Sequence, residues 1–217
     1  ALSGTTPEGQ VVTFWISTVD LDGTRYQGFT DVTSQVAGAG DGTYTVADVQ
    51  SGTGQDRYAG WSLVIAYRDP TQPPRNLTVF DGFQTVSSAN ANVAIPLSGF
   101  RTPPSGPVRT RLGIVGYDGD LASTGDSLRL NSTYISDALN PQTNVFNSTI
   151  GIGGIRSTAK NPDYVNQLGF DADLLNADNI LPNNATNATI RLTTGGETYY
   201  PGVVTFATEL FAPRIQP

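Results

Sequence analysis

The sequence lacks three residue types on which much protein chemistry depends. Its 217 residues include no cysteine, no histidine and no methionine, and Lys160 is its only lysine. Most nucleophilic triads, proton shuttles, zinc and haem sites and thiol redox centres need one of these side chains. What remains is carboxylates, hydroxyls and backbone groups, which suit hard-cation binding, sugar contact or two-carboxylate glycoside chemistry. We therefore expect a binding or structural protein rather than an enzyme.

Positive charge is also scarce. The chain carries 12 Lys and Arg against 19 Asp and Glu, a formal net charge of -7. Binding to phosphate backbones or anionic lipid relies on clustered basic side chains, so we expect no nucleic-acid partner. No apolar run approaches the roughly 18 residues of a membrane span, which argues against direct membrane insertion.

The absence of cysteine bears on location as well. An exported domain without disulfides must draw its stability from packing, bound ions or other crosslinks, a pattern that suits bacterial surface proteins. The chain opens at Ala1 without an initiator methionine, which we interpret as a processed portion of a larger protein. We therefore expect an extracellular or cell-surface location.

Turn-forming residues set the expected fold. With 24 Gly and 14 Pro between short apolar runs, the chain predicts an all-β protein: an antiparallel β-sandwich or jelly roll with long loops. At most one or two short helical turns are expected, one of them starting at Asn161. Residues 61–67 are apolar on both faces and predict a central strand with Trp61 in the core. The other predicted strands are residues 11–17, 42–49, 92–97, 112–117, 127–130, 188–193 and 203–210.

The sequence is compatible with two domain organisations. A Gly- and Pro-rich stretch at residues 99–107 could link two β-sandwiches, residues 1–98 and 108–217. A connection of this length equally spans two sheets of one larger sandwich. We favour a single module of residues 1–217.

Pairs of acidic residues suggest a calcium site. Residues i and i+2 of an extended segment point the same way, so two carboxylates can reach one hard cation. Asp118, Asp120 and Asp126 form the first candidate set, although none of these segments fits the EF-hand loop pattern. The next candidates are Asp20, Asp22, Asp171 and Asp173.

Aromatic side chains suggest a sugar-binding patch. A flat ring stacks on the apolar face of a pyranose, and Trp15 lies opposite the predicted core face of its strand. Tyr199 and Tyr200 end a Gly-rich loop and are candidates for the same role. The alternative function is therefore a carbohydrate-binding module, or a glycoside-active enzyme using a carboxylate pair.

Several segments together carry a resemblance to a known family. They are Asp31-Val32-Thr33, residues 42–46, residues 56–67, residues 69–70, residues 76–83, Gly125-Asp126-Ser127-Leu128, residues 166–171 and residues 192–202. These segments resemble an uncharacterised exported module of bacterial, often actinobacterial, cell-surface proteins that carry conserved-repeat (DUF11-type) domains. The resemblance implies an extracellular adhesin-like or cell-envelope setting and no established catalytic residues.

Together these observations predict a noncatalytic extracellular surface or appendage module that acts in adhesion or as a structural and assembly unit. Expected partners are surface glycans, extracellular matrix proteins or further copies of the chain in a polymer. Calcium is the expected cofactor.

Overall fold

The chain divides after Leu63 into two compact units, residues Ala1–Leu63 and residues Val64–Pro217. The computed structural model describes residues 2–5, 11–14, 18–22, 24–55 and 57–212. The stretch 99–107 lies within the second unit. There the buried Thr102 donates its N–H to the Ala185 carbonyl at 2.9 Å and its hydroxyl to the Pro182 carbonyl at 2.7 Å. This stretch is therefore held to the body of the second unit.

The described residues of the first unit form two small antiparallel sheets and one helix. One sheet has the order β2-β1-β5, and the other pairs β3 with β4. The elements are β1 (Leu2–Thr5), β2 (Val11–Phe14), β3 (Thr18–Asp22), β4 (Arg25–Phe29), α1 (Thr33–Ala39) and β5 (Thr45–Ala47).

The helix α1 was not predicted. It has seven residues and buries none of them, so it carries no apolar periodicity that a sequence pattern could reveal. Within the described residues, no helix is long and apolar enough to cross a membrane.

The second unit is a β-sandwich of a four-stranded and a six-stranded sheet. The four-stranded sheet has the order β10-β9-β14-β7, and the six-stranded sheet has the order β12-β11-β13-β8-β15-β6. All pairs are antiparallel except β11 with β13. The strands are β6 (Arg75–Asp81), β7 (Asn92–Ser98), β8 (Thr110–Tyr117), β9 (Asp126–Leu130), β10 (Thr133–Ile135), β11 (Ile150–Ile152), β12 (Ile155–Arg156), β13 (Phe170–Asn176), β14 (Asn187–Thr194) and β15 (Tyr200–Glu209).

The core lies between the two sheets of this sandwich. Alternate residues of each strand face inward, and they form one buried apolar cluster. The four-stranded sheet contributes Leu97, Leu128, Leu130, Ile135, Ala188, Ile190 and Leu192, and the six-stranded sheet contributes Leu112, Ile114, Leu175, Val204 and Phe206. The predicted all-β class and sandwich architecture are confirmed.

The strand predicted at residues 61–67 was wrong. This segment has no strand, and every residue except the half-buried Leu63 is exposed, with 41% of Trp61 and 76% of Tyr67 accessible. An apolar run becomes a central strand only when neighbouring strands pair with both its edges. No described strand pairs with residues 61–67.

The helical turn predicted at Asn161 was also wrong. Residues 157–169 form turns and bends without a helix. The Gln167 N–H donates to the distant Ser148 carbonyl at 2.7 Å rather than to a carbonyl four residues back. Tertiary hydrogen bonds therefore replace the helical ones here.

The core assignment predicts a contrast between two leucines of the second unit. Leu192 is buried at the centre of the core, whereas Leu121 lies exposed in a turn. Leu192→Ala should lower the free energy of unfolding by about 2–5 kcal/mol through lost burial and a residual cavity. Leu121→Ala should change it by less than about 0.5 kcal/mol. Equal effects of the two substitutions in urea unfolding would contradict this core.

Candidate functional site

A buried segment without regular secondary structure leads from the turn at residues 141–143 toward β11. All six residues from Asn144 to Thr149 are buried, although the preceding turn is exposed. Buried backbone N–H groups that lack the partners of a helix or sheet must find acceptors elsewhere. This segment therefore needs acceptors that reach into the interior.

Two carboxylates supply them. Asp126 Oδ2 accepts the N–H groups of Val145 and Phe146, both at 2.6 Å. Asp171 Oδ1 accepts the N–H of Asn147 at 2.8 Å and of Thr149 at 3.1 Å. Four of the six amides thus bind two buried acids.

Strand positions bring both acids inward. Asp126 opens β9, and Asp171 lies on β13 opposite Gly116 of β8. A Cβ on Gly116 would lie 2.6 Å from the Phe146 ring, so the glycine makes room for this side chain. Phe146 in turn stacks on Tyr199 with 4.2 Å between ring centroids. The aromatic pair and the two acids hold the segment from both sides.

Gly119 has a structural role in the Asp118-Gly119-Asp120 motif. A Cβ at this position would meet Asp171 Oδ2 at 2.2 Å and the Phe146 carbonyl oxygen at 2.5 Å. The Gly119 carbonyl also accepts a hydrogen bond from the Ser148 hydroxyl. The glycine therefore lets the turn close over Asp171.

Burial raises the pKa of the acids on β13. The pKa of Asp171 lies well above its usual value because the group is desolvated, and the charge of Asp173 adds to the effect. Burial also raises the pKa of Asp173 to about 7, with a smaller contribution from the charge of Asp137. Both groups therefore retain a proton at a pH where an exposed aspartate has lost it.

Glu197 lies beside Asp126 and forms a buried carboxyl pair with it. Only 8% of Glu197 is exposed, and Asp126 is fully buried. Burial raises the pKa of Glu197 to about 9, and the neighbouring carboxyl of Asp126 and the charge of Asp120 act in the same direction. Burial also raises the pKa of Asp126.

Several oxygens in this region lack a hydrogen-bond donor in the part of the chain that the structure describes. They are Asp126 Oδ1, both carboxyl oxygens of Glu197, Asn144 Oδ1 and Asp171 Oδ2. Every ion pair among the described residues joins other side chains. Two carboxylates cannot donate to each other, so Asp126 and Glu197 need a proton or a cation between them.

The structure does not group the three acids of the predicted calcium set as a metal-binding cluster. Asp118 takes a left-handed backbone conformation with φ of 66° and donates its N–H to the Gly169 carbonyl at 2.7 Å. Asp120 is exposed and lines an open depression of about 570 Å³, together with Leu121, Ala122, Ser123 and Asn166. Asp126 is buried and accepts the backbone N–H groups of Val145 and Phe146. Among residues 24–55 and 57–212, no three His, Cys, Asp or Glu side chains are grouped to hold a metal ion.

The secondary acid candidates lie in two places. Asp171 and Asp173 both face inward from β13, as residues two apart on a strand should, and Asp171 serves the buried segment. Asp20 and Asp22 lie on β3 and pair with Gln27 and Arg25 of β4 in the strand register.

The prediction that Tyr199 and Tyr200 form part of a sugar-binding aromatic patch was wrong. Tyr199 is fully buried and Tyr200 is 4% exposed, so neither offers a ring to a sugar. Tyr199 stacks on Phe146, and Tyr200 stacks on Phe83 with 5.8 Å between ring centroids. Both rings are packing residues. The third candidate, Trp15, lies outside the described residues.

Sequence reasoning missed Glu197, Asn144 and the role of the Asn144 to Thr149 segment. Glu197 follows two glycines in a loop and resembles an ordinary solvated turn acid. The one available signal was a run of Asn, Ser and Thr around Val145 and Phe146, whose polar side chains and apolar pair indicate a hydrogen-bonded interior loop.

The outer face of the six-stranded sheet is the second notable feature of this unit. One register row crosses all six strands, and four of its side chains are large, apolar and exposed. The row runs Ile155, Ile152, Leu174, Gly113, Thr205 and Val79 from β12 to β6. A Cβ on Gly113 would meet Thr205 Oγ1 at 2.4 Å and Leu174 Cδ1 at 3.6 Å, so these side chains close over the glycine.

The rows on either side extend this apolar face. One neighbouring row contains Ile150, Ala172, Val115, Val203 and Asp81, and the other contains Asn176, Arg111, Ala207 and Leu77. Arg111 is bound to Asp178 at 2.6 Å. We call these three rows the outer apolar face.

Comparisons with known proteins assign no family. No family model matches the chain, and no curated protein matches it. A chain from a solved structure of infectious bursal disease virus, Gt strain, matches with 11% identity and a TM-score of 0.30. The match covers 96% of this chain and 55% of that chain, so this chain spans about half the length of its match. At this similarity the match carries no argument about fold or function.

The buried acids predict that stability falls as pH rises. Unfolded aspartate has a pKa near 3.9, whereas the folded pKa of Asp173 is about 7. Between these values the folded state holds a proton that the unfolded state has lost. The stabilisation is complete below about pH 4 and is lost as pH rises through about 7. In chelator, Asp173→Asn should reduce the loss between pH 5 and pH 8 by on the order of 2–3 kcal/mol.

Asp163→Asn is the matched control for this measurement. Lys160 and Arg156 hold the pKa of Asp163 below its usual value, so this acid does not titrate between pH 5 and pH 8. Its substitution should leave the slope unchanged. A wild-type stability that rises across this range would contradict the assignment.

Proposed function

We propose that this chain is a noncatalytic structural module of an extracellular surface or appendage protein, and that it associates with a second copy through the outer apolar face. The carrying observation is the row from Ile155 to Val79, which crosses six strands without a charged side chain. Ile152 and Ile155 are 64% and 75% exposed. Contiguous exposed apolar patches commonly mark interaction surfaces.

The dimensions of the face suit a second copy. Four strands of seven to ten residues and two strands of two or three residues, spaced about 4.8 Å apart, give a face of roughly 550 Å² in plan. A standard interface takes about 800 Å² from each partner. Two sheets also pack face to face at about 10 Å, as the two sheets of one sandwich do. A copy of the same face is therefore a geometrically suitable occupant.

Charge favours the same occupant. Each chain carries a formal net charge of -7, so two copies repel each other unless they meet through uncharged surface. The central row of the outer apolar face has no charged residue, its two margin rows contain Asp81 and Arg111, and Arg111 is paired with Asp178. A contact between two identical faces closes as a two-fold dimer.

The noncatalytic and extracellular parts of the proposal rest on other grounds. The chain has no histidine or cysteine, and the depression beside Asp120 is lined by a single carboxylate. The close carboxyl pair, Asp126 with Glu197, is buried. The surface location is supported by the acidic, cysteine-free composition and by the resemblance to exported bacterial modules.

Sedimentation tests the association. The chain should show a concentration-dependent monomer–dimer equilibrium by analytical ultracentrifugation. Ile152→Lys places a charge in the middle of the apolar row and should shift the chain to monomer, by at least tenfold in dissociation constant. Leu121→Lys is the matched control, because Leu121 is 48% exposed but lies outside the face.

Two results would contradict the proposal. One is a chain that remains monomeric at every accessible concentration. The other is a dimer that Ile152→Lys and Leu121→Lys leave equally intact. Binding of a monomeric chain to arrayed glycans or matrix proteins would assign the face to a foreign partner and would likewise overturn self-association.

A further inference from the structure

The carboxyl pair of Asp126 and Glu197 leaves its oxygens without protein donors. Asp126 Oδ2 is used by the Val145 and Phe146 amides, but Oδ1 has no partner among the described residues. Neither oxygen of Glu197 has a partner of good geometry, although this side chain is more than nine-tenths buried, and the Asp120 amide is a backbone donor near enough to act on it. Three carboxyl oxygens are therefore available in a single interior region.

Asn144 provides an observation that is independent of the acids. Its Oδ1 is buried and has no donor in the part of the chain that the structure describes. Its Nδ2 donates to the Leu121 carbonyl at 3.1 Å. Asn144 also directly precedes Val145, whose amide binds Asp126. Asn144 is thus the chain neighbour of a residue that binds Asp126, and its Oδ1 is a neutral oxygen without a donor among the described residues.

Buried polar oxygens without donors are uncommon in folded proteins, and such groups call for an unplaced partner. A carboxylate, a second carboxylate and an amide oxygen are the ligands that hard cations prefer. No lysine or arginine pairs with these acids among the described ion pairs. The missing partner should therefore be a small cation that supplies positive charge to several oxygens at once.

We propose that Asp126 Oδ1, the Glu197 carboxylate and Asn144 Oδ1 bind one divalent cation, with calcium as the best match. Calcium accepts six to eight oxygen ligands in irregular geometry, including backbone carbonyls and waters, whereas magnesium requires near-octahedral geometry. The exposed Asp120 is close enough for its charge to act on Glu197, and it lines the open depression. Asp120 therefore marks the solvent side from which the ion enters.

This site differs from the set that the sequence suggested. It keeps Asp126, replaces Asp118 and Asp120 as ligands by Glu197 and the neutral amide of Asn144, and places Asp120 at the entrance. Among the described residues, no three acidic, His or Cys side chains are grouped to hold a metal ion. The proposed site is compatible with this finding, because only two of its three side-chain ligands are acids. The site lies inside the sandwich and does not depend on the outer apolar face.

Calcium alone is the probe, and thermal unfolding of the whole chain is the first readout. Against chelator, calcium at a hundredfold excess over its dissociation constant should raise the melting temperature by about 5–10 °C. Titration calorimetry should give one site per chain. Terbium should bind the same site and show luminescence on tyrosine excitation, because Tyr199 lies close enough to feel the charges of Asp126 and Glu197.

Glu197→Gln is the decisive variant, since it keeps the side-chain shape and removes the charge. It should fold, abolish the calcium shift and remove the terbium signal. Asp118→Asn is the matched control, because asparagine tolerates the left-handed conformation at this position. It should retain both responses.

Three outcomes would overturn the proposal. Identical melting curves in calcium and in chelator would show that a shared proton, rather than a cation, satisfies the pair. A calcium shift that survives Glu197→Gln would place the ion elsewhere. Loss of the shift in Asp118→Asn with its retention in Glu197→Gln would restore the set suggested by the sequence.

Discussion

The fold of the second unit depends on how a buried loop satisfies its backbone. The residues from Asn144 to Thr149 are buried but belong to no helix or strand. Unpaired amides there would cost about 1–3 kcal/mol each. Asp126 and Asp171 accept four of those amides. Each amide that finds an acceptor avoids this cost, so two acids can stabilise the whole segment.

This solution constrains much of the surrounding chain. Gly116 must leave room for Phe146, and Gly119 must leave room for Asp171. The acids are desolvated, and burial therefore raises the pKa of each. Glu197 adds a further carboxyl group beside Asp126 without a basic residue to balance it. The same arrangement that orders the loop thus gathers carboxyl groups whose ionisation is costly without a counter-charge, and this cost is the physical basis for expecting a proton or a cation beside them.

Strands were predictable from the sequence where one face of the strand is buried. The strands predicted at residues 92–97 and 188–193 correspond to β7 and β14, because alternation and turn residues both mark them. The strand predicted at residues 61–67 was wrong because burial of both faces of a strand depends on neighbouring strands, and a local sequence pattern does not reveal those neighbours. The site was only partly predictable. Asp126 was selected as a calcium ligand, but Tyr199 was placed at the surface, and its partner Phe146 comes from a distant loop with no strand pattern.

Amide hydrogen exchange tests the central claim most directly. If Asp126 and Asp171 hold the buried loop, the amides of Val145, Phe146, Asn147 and Thr149 should exchange with core-like protection, which approaches that of the β8 and β14 strands. The exposed turn amides of Ala122 and Ser123 should exchange orders of magnitude faster in the same sample. Exchange of the four loop amides at the rate of the exposed turn would contradict the account, because it would mean that the two carboxylates do not order this segment.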